Sequence, residues 1–197
     1  MIEGHFLVET INRALDKIIM RKITIEDVTI ELKRGDIAQQ DDIEAVVNAA
    51  NAQLRTGGGV AGAIHRAAGP SLAEETRSMA PIKPGEAVIS GGHNLPNNYI
   101  IHCLGPVYGR DKPEDKLLAF CYKNALQLAE ENKIERVAFP AISTGAFGYP
   151  PREAAKVAFK TVKREIPRLK SVRLIRFVLW GEDAIQVHEE AMKQVLG

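Results

Sequence analysis

Two short apolar runs, Ala45-Val46-Val47 and the segment that opens at Val137, each pass through a loop of small residues into a helix-forming stretch. An unbroken apolar run of strand length reads as a strand covered on both faces, as in the parallel sheets of α/β proteins. The first loop is Asn48-Ala49-Ala50-Asn51 leading to Gly57-Gly58-Gly59-Val60, and the second is Ser143-Thr144-Gly145-Ala146-Phe147-Gly148. Strand C-termini of one sheet gather at a common edge, so two such loops can line one cleft. Bare backbone N–H groups there suit an anion, and neither loop carries the lysine of a nucleotide triphosphatase.

The remaining pattern agrees with that architecture. Lys22–Ile25 and Val28–Leu32 alternate like half-exposed strands around a turn at Asp27, and Tyr99–Cys103 and Val172–Trp180 read as further strands. Helical spacing predicts helices over Val60–Ala68, Leu72–Met79, a segment opening near Pro113, one opening at Pro150-Pro151, and Ala184–Leu196. His5–Met20 predicts an amphipathic leading helix. Strands alternating with helices, after an early pair of adjacent strands, predict a three-layer α/β/α sandwich with a mixed central sheet.

Composition narrows the function classes. A chain of 197 residues is one domain, and its net charge of +1 offers no chain-wide basic field for nucleic acid. Two cysteines, Cys103 and Cys121, both in apolar patterns, exclude a disulfide scaffold and fit a reducing, cytoplasmic setting. No apolar run approaches the length of a membrane span. The five histidines show no ligand spacing, so neither a metal nor a cofactor is expected.

Gly57-x-Gly59-x-x-Gly62 matches the dinucleotide-binding expression GxGxxG, but its context does not. Nine residues separate Val47 from Gly57, where that mechanism needs the first glycine directly after the strand, and the acidic residue expected about twenty positions on is missing.

Individual residues carry specific chemistry. Asp36, past a strand end in Arg34-Gly35-Asp36-Ile37, can accept from an exocyclic amine or close an Asx turn. Of Asn48 and Asn51, one is expected to bond local backbone and the other to offer its amide to sugar hydroxyls; spacing does not say which. Gly58, Gly59 and Val60 open a helix whose N-terminus suits phosphate. Ser143 and Thr144 would add hydroxyl donors to the second loop, Gly145 and Ala146 bare N–H groups, and Phe147 a cover for a sugar face. Trp180, the single tryptophan, could stack on a base or fill a core position.

Taken together, Gly35-Asp36-Ile37, Val47-Asn48-Ala49-Ala50-Asn51, Gly57-Gly58-Gly59-Val60, Ala63–Gly69, His102–Tyr108 and Phe139–Pro150 resemble the macro domain family, closest to its MacroD-type branch. The resemblance spans roughly residues 22–196, with 1–21 as a helical extension outside a domain of 22–197. It implies a cleft for ADP-ribose, with Asp36 on adenine N6, Ile37 in the base pocket and Trp180 against adenine. Val60 and Ser143–Phe147 would hold the diphosphate, and Asn51 would orient the distal ribose as the catalytic residue. The implied partner is ADP-ribose or an ADP-ribosyl derivative, including ADP-ribosylated protein, with no membrane and no direct nucleic-acid contact. The implied activity is hydrolysis at the distal ribose, of O-acetyl-ADP-ribose or of ADP-ribosylated acidic side chains. A non-catalytic ADP-ribose reader and an ADP-ribose 1″-phosphatase are the alternatives. In the hydrolase branch an aspartate commonly follows Gly-Gly-Gly-Val; here that position is Ala61.

Overall fold

The computed structural model describes residues 21–197, so the expected leading helix lies outside the described residues. The strands are β1 (Lys22–Ile25), β2 (Val28–Arg34), β3 (Ala45–Ala49), β4 (Ala87–Gly91), β5 (Tyr99–Cys103), β6 (Arg136–Phe139) and β7 (Leu174–Leu179). They form one sheet in the order β1-β2-β7-β6-β3-β5-β4. The five inner strands are parallel, and β1 and β4 close the edges antiparallel. The helices are α1 (Gly59–Ala68), α2 (Pro70–Thr76), α3 (Glu114–Glu131), α4 (Pro151–Glu165) and α5 (Glu182–Leu196).

The period of two along each strand divides the core between two faces. Val46, Ile100, Ala138 and Val178 pack with Ile64, Ala68 and Leu72 of α1 and α2. Their neighbours Val47, Ile101, Phe139 and Phe177 pack with Leu118, Ala158, Phe159 and Ile185 of α3, α4 and α5. On that second face Tyr122, Phe139, Phe159 and Phe177 are fully buried with ring centroids 4.9–6.1 Å apart. Burying each such side chain contributes about 1.5–3 kcal/mol.

β3 and β6 are neighbours, yet the chain leaves β3 for α1 on one face and leaves β6 for α4 on the other. Their loops therefore diverge, and divergence at a strand edge leaves a crevice. Because all five inner strands point the same way, the segments after Arg34, Ala49, Cys103, Phe139 and Leu179 all emerge at that edge.

Several boundaries differ from the sequence reading, two of them for a visible reason. β7 starts at Leu174 rather than Val172, because the Glu130 carboxylate accepts from the N–H groups of Lys170, Ser171 and Val172 at 2.8–3.0 Å and holds them in a turn. α2 ends at Thr76 rather than Met79, where the buried Thr76 hydroxyl donates back to the carbonyls of Leu72 and Leu54.

Candidate functional site

The crevice between the β3 and β6 loops has two lobes, of about 520 and 340 Å³, joined where both touch Gly59, Val60, Ala141 and Gly145. Asp36, Ile37, Thr144 and Trp180 line the larger lobe. Asn51, Gly58, Ser143, Ala146 and Phe147 line the smaller. Every site residue that the resemblance assigned thus borders one lobe or the junction, whereas Asn48 borders neither.

In the larger lobe the Asp36 carboxylate both closes a turn and remains available. Its Oδ1 accepts from the Ala38 N–H at 2.9 Å, which leaves Oδ2 without a donor among the described residues. Trp180 lies one residue past β7 and is 83% exposed, so it packs against no core and presents its indole to the lobe. An aromatic side chain left this uncovered is a platform for a flat ligand. Ile37 is buried against Val46 and Val178 and forms the wall.

At the junction the protein offers neutral donors from two sides. Gly58 caps α1 without any side-chain hydrogen bond, and the N–H groups of Gly59, Val60 and Ala61 have no acceptor among the described residues. Opposite them, the N–H groups of Gly145, Ala146 and Phe147 also lack an acceptor, while Gly148 N–H and Tyr149 N–H close the loop on Gly145 and Ser143 carbonyls at 2.9 Å. Two such arrays form an anion site without a point charge.

The hydroxyls expected from Ser143 and Thr144 do not contribute to it. Ser143 adopts a left-handed φ of 67°, which turns its Oγ inward to a buried position against Gly105. Thr144 Oγ1 donates to the Ala141 carbonyl at 2.9 Å. The loop presents backbone alone.

Both asparagines make protein bonds, with different consequences. Asn48 is fully buried, and its Nδ2 lies 3.1 Å from Nδ1 of His102, whose Nε2 meets Ser90 Oγ at 2.9 Å. Burial holds the His102 pKa at about 3, with His65 and His93 as lesser contributors, so the ring is neutral. Asn48 is therefore a cross-strand clamp behind the site. Asn51 borders the smaller lobe, donates from Nδ2 to the Arg55 carbonyl at 2.7 Å and accepts from the Arg55 N–H at 3.1 Å. One N–H and one lone pair of its amide remain for a ligand.

The Macro domain family model matches residues 47–158, more than half of the chain. This chain belongs to the macro domain family. A macro domain-containing protein of Methanosarcina mazei is 45% identical over 85% of this chain and 89% of its own length. A Klebsiella pneumoniae relative named O-acetyl-ADP-ribose deacetylase is 42% identical over 82% of this chain and 95% of its own. The Oceanobacillus iheyensis macrodomain with ADP superposes with a TM-score of 0.83 at 38% identity, covering 89% of this chain and 95% of that one. The Trypanosoma brucei macrodomain in complex with ADP-ribose gives 0.77 at 34% identity, covering 83% and 68%.

The macro domain architecture also accounts for the GxGxxG match. The chain passes from α1 through α2 to the antiparallel edge strand β4, not to the second parallel strand of a dinucleotide-binding unit. Gly62 is glycine because the Gly57 carbonyl lies against its Cα, where a side chain would collide.

Sequence reasoning missed Gly105, Ala63 and Arg66. Ala63 and Arg66 line the larger lobe one and two turns after Gly59, on the same face of α1. That helical spacing was the available signal.

Proposed function

We propose that this protein binds ADP-ribose in the crevice and hydrolyses ADP-ribose derivatives at the distal ribose. The observation that carries the reading is the junction, where two sets of unpartnered N–H groups meet between an aromatic lobe and an amide-lined lobe. A diphosphate fits the junction. Adenine fits the larger lobe, on the Trp180 indole with its amine toward Asp36 Oδ2. The distal ribose then enters the smaller lobe beside Asn51 and under Phe147. The names of the Klebsiella relative and of the ADP and ADP-ribose complexes support the same ligand.

For an ester at that ribose, such as O-acetyl-ADP-ribose or an ADP-ribosylated carboxylate, water adds its oxygen to the acyl carbon. The bond from that carbon to the ribose oxygen breaks, the ribose oxygen takes a proton, and the acid leaves. The smaller lobe is lined by no carboxylate, imidazole or amine among the described residues. A phosphate oxygen of the ligand would receive a proton from the attacking water and pass it to the departing ribose oxygen, and the protein's contribution is positioning by Asn51 and the two loops.

Ala61, lining that lobe in place of a carboxylate, favours a second reading as a non-catalytic ADP-ribose reader. Following acetate release from O-acetyl-ADP-ribose separates the two. Turnover that Asn51→Ala lowers about a hundredfold supports the enzyme; calorimetric ADP-ribose binding without turnover of this ester or of ADP-ribosylated protein supports the reader. No binding at millimolar ADP-ribose overturns both.

A further inference from the structure

The loop that carries Asn51 has a second side. Asn51 faces the smaller lobe, whereas Gln53, Arg55 and Thr56 line a separate hollow of about 330 Å³ together with Ala73, Arg77 and Ala80. Leu54 produces this division. It takes a left-handed φ of 53°, which a branched side chain adopts only when its surroundings require it, and its side chain is buried with Ala50, Ile82 and Leu104. The loop is fastened from three directions: Leu54 N–H to Asn51 O at 3.0 Å, Ile82 N–H to Ala52 O at 2.9 Å, and the Thr76 hydroxyl to Leu54 O at 3.2 Å. The strained turn sends Arg55 outward into the hollow while keeping Asn51 on the lobe.

Arg55 and Arg77 enter this hollow from different elements, and neither forms an ion pair among the described residues. Its other polar groups are the Gln53 amide and the Thr56 hydroxyl, and no carboxylate lines it. Two guanidinium forks with neutral donors around one hollow match carboxylates. The hollow and the distal-ribose lobe share one short loop, so a chain attached at the distal ribose passes near both.

We propose that the Arg55–Arg77 hollow is a carboxylate-binding subsite that recognises acidic residues flanking the modified side chain of an ADP-ribosylated protein. The proposal rests on the ADP-ribose reading of the crevice and adds to it the kind of polypeptide that the site prefers. Because the amide of Asn51 holds the Arg55 backbone at both N–H and C=O, the segment that presents Arg55 to the hollow is tied to the residue that would orient the distal ribose.

The test uses two synthetic peptides, each ester-linked to ADP-ribose through one glutamate, flanked either by aspartates and glutamates or by neutral residues. Free ADP-ribose and O-acetyl-ADP-ribose serve as small ligands. The wild-type protein should favour the acidic peptide about tenfold, in calorimetric affinity and in kcat/KM where it turns over, and the preference should fade with added salt. Arg77→Met should erase the preference and Arg77→Glu should reverse it, both leaving the small ligands unaffected. Binding of ADP-ribose with no acidic preference, or a preference that survives Arg77→Met and Arg55→Met, overturns the subsite alone. Absence of ADP-ribose binding overturns the crevice reading, and the subsite falls with it.

Discussion

Gly105 and Ser143 are in direct contact, one from the segment after β5 and one from the loop after β6. A Cβ built on Gly105 would collide with Ser143 Oγ and lie 2.7 Å from Ile142 Cγ2. The bare Cα of Gly105 is therefore what lets Ser143 hold its left-handed turn and keep the 145–147 N–H groups facing the crevice. Gly105→Ala should cost about 1–3 kcal/mol by overpacking, a fall in Tm of a few degrees for a chain of this size. It should also weaken ADP-ribose binding more than an equally destabilising change in the distant core. Thermal melting paired with calorimetry checks both; unchanged affinity would show that the loop does not depend on Gly105.

Trp180 separates a binding role from a packing role cleanly, because its 83% exposure leaves little packing to lose. Trp180→Ala should leave Tm unchanged while raising the Kd for ADP-ribose by about 1–3 kcal/mol equivalent, the range for a base stacked on an aromatic ring. As the single tryptophan of the chain, it should also report binding by its own fluorescence. A titration that leaves that fluorescence unmoved would remove the stacking role.

For Asp36, a ligand change isolates the hydrogen bond from the turn that the same carboxylate closes on Ala38. Asp36→Ala should weaken ADP-ribose by about 1.5–3 kcal/mol, the value of a charged acceptor. An analogue with hypoxanthine in place of adenine lacks the amine, and against it the same substitution should have a much smaller effect. Equal losses for both ligands would mean that Asp36 acts only through the loop.

How far the sequence carried these assignments varies with the kind of interaction. The unbroken apolar run Ala45-Val46-Val47, and small residues after both apolar strands, were enough to anticipate the layers and the loops. That β3 lies beside β6 was not written locally, since it depends on strands far apart in the chain pairing in one register. The left-handed turns at Ser143 and Leu54 were not legible because positive φ is usually read from glycine, and here tertiary packing imposes it on other residues. Asn48 and Asn51 looked alike because the partner that distinguishes Asn48, His102, lies 54 positions away.

The buried histidines make stability fall on acidification. Burial holds His102 at about 3 and His188 at about 4, both below the ordinary value of 6.5, and His188 is anchored by Nδ1 at 2.8 Å from the Ala184 carbonyl. Each ring is neutral in the folded protein and takes a proton near pH 6.5 only when unfolded. Their stabilisation is therefore full above pH 6.5 and is lost as pH falls toward 4 and then 3. The slope is at most about 1.4 kcal/mol per pH unit for each histidine. Urea midpoints should be lower at about pH 5 than above neutrality. His102→Gln should lower stability at neutral pH, through the Asn48 and Ser90 contacts, yet flatten the pH dependence. A variant with the wild-type slope would remove His102 as its source.

Ala61 offers the sharpest test of how water is activated. It is buried at 5% exposure, lines the smaller lobe and sits in the first turn of α1, beside the unpartnered N–H groups of Gly59 and Val60. An aspartate placed there would be kept ionised by the helix N-terminus and, with ADP-ribose bound as proposed, would stand beside the distal ribose where it could orient water. It would also compete with the diphosphate for those same N–H groups. Ala61→Asp should therefore raise kcat for O-acetyl-ADP-ribose by about tenfold or more, the lower end of what a positioned base supplies, while weakening ADP-ribose binding several-fold. Acetate release and calorimetry on the same preparation read the two effects separately. Turnover unchanged or reduced, with ADP-ribose still bound, would mean that water reaches the ester from another direction and that the carboxylate missing at Ala61 does not limit this protein.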